Sequence, residues 1–331
     1  MTPTLDPPDA LPEIHCDVTW RSTARVPLRA PWYVRRLELV EHLDAPFLLR
    51  LQIDSDELDL DVLDLVGGEL TVTLAREGSS MRRIHGVVLR SELLGPFAAR
   101  VELSLDVGPA VALAGLGART RIFQHMSVPE IVAAVLGPTL APLRRGVEVR
   151  LSRSHPARDV VVQWRESDLD FVLRILADAA IGCVFEHGAE VEAMVLIDDV
   201  ARLRGVGNDD DGDPGPTTVR LLADDGTPPP VERVAVLAPA RSATPSRFDA
   251  LGWDWKQRPP TLLESTERIA TAAWPAAVLE DTGTRRLLEL DAPAHADETG
   301  AHARGAKAEA AAAAAKAAGW GDVLSFTPGR T

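Results

Sequence analysis

Lysine is almost absent from this 331-residue chain: Lys256, Lys307 and Lys316 are the whole supply, and arginine makes up the rest of 35 basic residues. The arginines are scattered, so no basic face gathers against 49 acidic residues and a net charge of −14. A polyanion is repelled by such a field, and no nucleic-acid partner is expected. Cysteine is as scarce. Cys16 and Cys183 stand alone, which excludes a disulfide framework and fits a reducing compartment. Cys183 lies in IGCVFEH, where alternation aligns it with Ile181 and Phe185 and predicts a buried free thiol. Long apolar runs are missing too. No window approaches the roughly 18 uninterrupted apolar residues of a spanning helix, so membrane insertion is not expected. The opening MTPTLDPPDALPEIH has no positive n-region and no apolar h-region, so it does not read as a signal peptide. Assembly in the cytoplasm is expected, with any export by a route that needs no cleaved signal.

Motifs that carry chemistry are equally short. There is no H-E-x-x-H, no C-x-x-C, no phosphate loop and no dinucleotide fingerprint, so neither metal nor cofactor is expected. His295 and His302 are about two helical turns apart, too far to share one ion without further ligands. Around Asn208–Asp213, a calcium-loop alignment with Gly212 sixth puts Gly207 first and Thr218 twelfth, where carboxylates are required. The acids of 54–64 with Glu166, Asp168, Asp170, Asp198 and Asp199 would make a glycosidase pair only if two faced each other across a cleft, and alternation puts most of them on the solvent side of strands and helices. Ser127-x-x-Glu130 and Ser167-x-x-Asp170 each precede apolar residues at helical spacing and read as capping boxes. No nucleophile-elbow glycines accompany either serine. No catalytic residue is assigned.

What the sequence does have is alternation. LLRLQID, LTVTLARE, IHGVVLRSELL and ARVELSLDVG repeat apolar residues with period two, as half-buried strands do. SDELDLDVLDLVGG between them is read as a short helix packed on the sheet, with a connecting segment as the alternative. The pattern then changes: a helix opens at Ser127-Val-Pro-Glu130 and ends near Leu136-Gly137-Pro138, VEVRL and VVVQW read as strands, and SDLDFVLRILADAA as a second helix. Residues 181–186 and 193–197 pair as a hairpin around His187-Gly188-Ala189-Glu190. Strand-like pieces return in TVRLLAD, VERVAVLAP, ALGWDWKQ and RRLLELDAP, and the Ala-dominated 294–318 is predicted to be a helix. The expected division is a disordered tail (1–14), a first tube-type β domain (15–118), an α+β insert (119–204), a linker (205–217) and a second tube-type β domain with the Ala-rich helix (218–331). The fold class is therefore α+β and mostly β, with two strand-rich, barrel-like domains flanking a small α+β portion.

Three strings in order carry a family resemblance: RRIHGVVLRSE (82–92), RIFQHMSVPEIVAAVL (121–136) and QWRESDLDFVLRILADAAIGCVFEHG (163–188). They resemble the N-terminal hub region of VgrG, the type VI secretion spike protein family, and the related phage late control protein D class. The resemblance extends over about residues 30–331. It implies a trimeric hub that joins an Hcp-type hexameric tube to downstream spike, needle or effector domains, with no catalysis by this region. It also marks Arg121, Phe123, Gln124, Ser127, Glu130, Arg165, Glu166, Ser167, Asp168 and Phe171 as fold-defining positions. A phage or tailocin baseplate hub is the nearest alternative, and a cell-wall hydrolase or cell-wall-binding module a more distant one. Full spikes of this kind continue into an OB-like domain and a β-helical needle, so piercing and cargo delivery are not expected of these 331 residues.

Overall fold

The computed structural model describes residues 14–22, 32–56, 62–76, 82–97, 100–199, 220–221, 233–241, 247–254, 261–268, 286–292 and 315–321. Strands β1 (Ile14–Ser22), β2 (Trp32–His42), β3 (Ala45–Ser55), β4 (Glu69–Arg76), β5 (Arg82–Phe97) and β6 (Arg100–Gly108) form one antiparallel sheet in the order β1-β4-β5-β6-β3-β2. The sheet curls until its two edge strands approach, with the Trp20 and Trp32 rings 5.4 Å apart. Alternation explains the inner face. Val101, Leu103, Leu105 and Val107 of β6 are buried while their neighbours are half-exposed. The register sets Leu103, Leu105 and Val107 opposite Ile53, Leu51 and Leu49 of β3. Each such side chain, fully withdrawn from water, contributes about 1.5–3 kcal/mol.

Gly86 permits the close approach of β5 and β6: a Cβ there would lie 2.7 Å from Val107 Cγ1 and 2.8 Å from the Gly108 carbonyl oxygen. The segment read as a short helix is reduced to a single 3-10 turn at Val62–Leu65, followed by Gly67 at φ +80°. Residues 57–61 lie outside the described residues.

A 3-10 turn at Ala110–Gly115 leads into the α+β unit. Its elements are β7 (Ala118–Met126), α1 (Val128–Leu140), β8 (Val147–Arg150), β9 (Arg158–Ser167), α2 (Asp168–Asp178), β10 (Gly182–His187) and β11 (Glu192–Ile197). β7 and β9 form a two-stranded antiparallel ribbon. β10 and β11 make the expected hairpin, and β8 adds parallel to β11. The helices bury Ile131, Val132, Leu136, Leu140, Phe171, Val172 and Ile175 in one core. α1 passes Pro138 and runs to Leu140. The proline removes one N–H in the last turn only, and burial of Leu140 at 3% exposure favours the extra turn.

Later strands are β12 (Arg220–Leu221), β13 (Arg233–Arg241), β14 (Arg247–Asp254), β15 (Thr261–Arg268), β16 (Arg286–Ala292) and β17 (Ala315–Gly321). They form two three-stranded sheets, β12-β13-β17 and β15-β14-β16. The Ala-rich helix needs correction where it is described. Its last residues belong to β17, which pairs antiparallel with β13. Ladder pairing there prevails over alanine's intrinsic preference for helix. Residues 294–314, residues 1–13 of the expected tail and the linker 205–217 lie outside the described residues; Ile14 already belongs to β1. Among the described residues, no helix is long and apolar enough to cross a membrane.

Candidate functional site

The strings singled out in the sequence meet in space at two joints. The first lies where the β7–β9 ribbon packs under α2. Arg121 on β7 donates from Nε to Gln163 Oε1 at 2.8 Å and from Nη2 to the Asp168 carboxylate. Gln163 turns its amide to Asp168 at 2.8 Å and to the Glu166 carbonyl at 3.1 Å. Gln163 is fully buried and Asp168 nearly so, and their mutual satisfaction is what makes that burial tolerable. The same strand alternation sends Phe123 inward, where it stacks on Phe171 at 5.5 Å between ring centroids. Arg121 lies over the Phe123 ring and Arg174 over the Phe171 ring, at 5.6 and 5.4 Å. Arg174 also pairs with Glu166, whose carboxyl is held below its usual range chiefly by that bond.

Both strands of the ribbon turn into helices by one device. His125 and Arg165 adopt left-handed φ of 54° and 52°, each two residues before a capping serine. Ser167 accepts the Asp170 N–H at 3.0 Å, and its hydroxyl donates to the Asp170 carboxylate at 2.6 Å. At the start of α1, the Ser127 N–H and hydroxyl both donate to Glu130 Oε2 at 2.7 Å. Those bonds hold the Glu130 carboxyl below its ordinary range. Both serines act as caps, as their spacing predicts.

The second joint ties the hairpin β10–β11 to the six-stranded sheet. His85 is 2% exposed; its Nε2 meets the Gly188 carbonyl at 2.8 Å, its Nδ1 meets the Thr71 hydroxyl at 2.9 Å, and its own N–H donates to His187 Nδ1 at 3.1 Å. Burial lowers the His85 pKa despite the carbonyl, so the ring is neutral. Phe47 contacts Phe185 and His187 edge-on, at 5.8 and 5.1 Å. The RRIHG and FEHG strings are thus two halves of one contact.

Beneath it, Arg145 is buried between Glu69 of β4 and Glu192 of β11, with Nε 2.7 Å from Glu192. Burial alone would lower its pKa, but the two carboxylates outweigh that and the net shift is upward. Glu192 also accepts the Ala110 N–H at 2.8 Å, fixing the turn that leads to β7. Asp44 and Cys183 exchange backbone and carboxylate bonds at 3.0 and 2.8 Å. Burial pushes the Cys183 thiol up to about 12, so it is an inert thiol of the core.

Arg121, Phe123, Glu166, Ser167, Asp168 and Phe171 therefore form one cluster, and Ser127 with Glu130 caps the neighbouring helix. Gln124 and Arg165 stand apart, exposed on the ribbon, with the Arg165 guanidinium 5.3 Å from the Trp164 ring centroid. Sequence reading did not single out Arg145, Glu69 or Glu192 as a site, nor His85 with Gly188. The one local signal was the R-x-x-H-G string, which contains His85. No group of metal-holding side chains is found among the described residues.

The singled-out side chains are engaged in holding strands to helices and sheet to hairpin, which is the pattern of a strand-rich structural domain. The chain belongs to the phage tail baseplate hub (GPD) family, whose model matches residues 40–331. It is 28% identical over 245 residues to the type VI secretion system spike protein VgrG4b of Pseudomonas aeruginosa, covering 73% of this chain and 28% of that protein. It is 32% identical over 129 residues to the spike protein VgrG3 of Vibrio cholerae, covering 38% of this chain and 12% of that one. The chain thus spans only about a quarter or less of these relatives. Two solved structures share the fold. The Escherichia coli c3393 protein, a type VI secretion component similar to the T4 tail proteins gp27 and gp5, has a TM-score of 0.53 at 23% identity, covering 69% of this chain and 56% of its own. A tail protein of Neisseria meningitidis has a TM-score of 0.52 at 12% identity, covering 91% and 79%.

Proposed function

We propose that this chain is a structural hub of a contractile injection apparatus of the type VI secretion kind. In this reading it trimerises, seats an Hcp-type hexameric tube on one side, and carries spike, needle or effector domains on the other. Family membership over residues 40–331 carries the reading. The geometry supports it, since the family-string residues are spent on internal packing. Tube-type domains at 15–118 and 218–331, one on each side of the 119–204 insert, would give a trimer six of them, a match for sixfold tube symmetry. In this reading the hub does no chemistry of its own and leaves the cell on the apparatus.

Mixing the chain with preassembled Hcp-type tubes and imaging them by electron microscopy tests this function. The expected image has density at tube ends only, and a chain that ignores the ends or coats the walls contradicts the proposal. A peptidoglycan zymogram checks the hydrolase alternative: no clearing is expected, whereas clearing abolished by neutralising one acid would replace the hub reading with an enzyme. Binding of the purified chain to sacculi would favour the wall-binding alternative in the same way.

A further inference from the structure

One face of the β7–β9 ribbon is exposed, with no described residue packed over it. The register sets Ile122 opposite Val162, Thr120 opposite Trp164 and Gln124 opposite Val160, so these side chains share the face turned away from the helices. Ile122 is 65% exposed, Trp164 64%, Val160 53% and Val162 41%. A contiguous apolar patch of this kind marks an interaction site.

The two outer edges of the ribbon differ. The β9 edge is occupied by its own side chains: Arg174 donates to the Val162 carbonyl at 3.1 Å, and the Trp164 N–H donates to Glu166 at 3.3 Å. The β7 edge has no such cover. Among the described residues, no further strand and no side chain bonds its outer backbone between Thr120 and Gln124. An uncovered edge is a template for an added strand.

Charge narrows the occupant. Arg119 is 64% exposed, its Nε 3.7 Å from the Asp168 carboxylate that Arg121 also holds, and Arg165 is held out over the Trp164 ring. Face positions 120, 122, 124, 160, 162 and 164 carry no charge; the acids of β9, Asp159 and Glu166, stand at its ends, Glu166 paired with Arg174. On a chain of net charge −14 this is a locally positive rim. Two β7 edges paired with each other would bring two net-positive rims together. We propose that the open β7 edge and the Ile122–Trp164 face receive one extended segment of a partner protein, with apolar residues at alternate positions flanked by carboxylates.

Fluorescence anisotropy on the full chain tests this with two labelled peptide probes of alternating Val and Thr, one flanked by glutamates and the other by lysines. The glutamate probe should bind saturably and at least about tenfold more tightly than the lysine probe. Ile122→Lys, at an exposed position, should weaken it by about tenfold or more, and Arg119→Glu should reverse the preference between probes. Arg119→Glu supplies the reading if Ile122→Lys disturbs the circular dichroism spectrum. Absent binding, equal binding of both probes, or indifference to the substitutions would overturn the proposal. So would a fall in the mass of the assembly in Ile122→Lys, because a second copy would then cover the face. That outcome leaves the hub reading standing.

Discussion

At Arg145, two carboxylates from distant strands meet one buried guanidinium. Removing the cation leaves Glu69 and Glu192 charged and out of water. Arg145→Ala is therefore expected to cost about 3–5 kcal/mol, read as a lowered midpoint in urea denaturation. His85 gives a pH signature. Its pKa in the folded chain lies below the ordinary 6.5 because of burial. The unfolded chain then takes up protons first as pH falls, so this histidine's contribution is intact above 6.5 and is lost progressively below it. His85→Gln should flatten the fall in stability between neutral pH and about pH 5 relative to the parent, as measured by denaturation at several pH values. Such residues were only partly legible beforehand. Cys183 was readable from alternation alone. Arg145 was not, because its partners lie 47 and 76 positions away and a local pattern cannot name them.

Each strand-to-helix joint rests on one left-handed residue and one serine cap. Ser167→Ala removes the acceptor for the Asp170 N–H and should destabilise the chain by about 1 kcal/mol, measured by thermal or chemical unfolding. Its effect should reach Glu166 and Asp168, which flank the cap, more than the distant hairpin. These joints were legible because a capping box is a local arrangement with fixed spacing. The strands of the first sheet were legible for a similar reason: period two survives wherever one face is buried. β17 was not. Its alanines favour helix locally, and only the β13 ladder, found some 80 positions earlier in the chain, makes them a strand. β15 was missed because TLLESTER sets its two apolar residues, Leu262 and Leu263, side by side and so shows no period-two run.

For the molecule as a whole, an antiparallel sheet curls toward closure and an α+β unit packs against it through buried polar bonds. Polar joints of that kind fix orientation more than they add stability. The family could be read from three strings in order, because those strings are the contacts that hold these joints. The exposed ribbon face could not be read that way: Ile122, Val162 and Trp164 alternate as core strand residues do, and only the folded chain shows that nothing described covers them.

The central claim is that this chain builds an assembly. Size-exclusion chromatography with light scattering, at concentrations from micromolar to tens of micromolar, measures that directly. A mass near three times the 35.6 kDa of one chain is expected, unchanged on dilution, with an interface of the permanent class above about 2,000 Å². A single-chain mass across that range would contradict it.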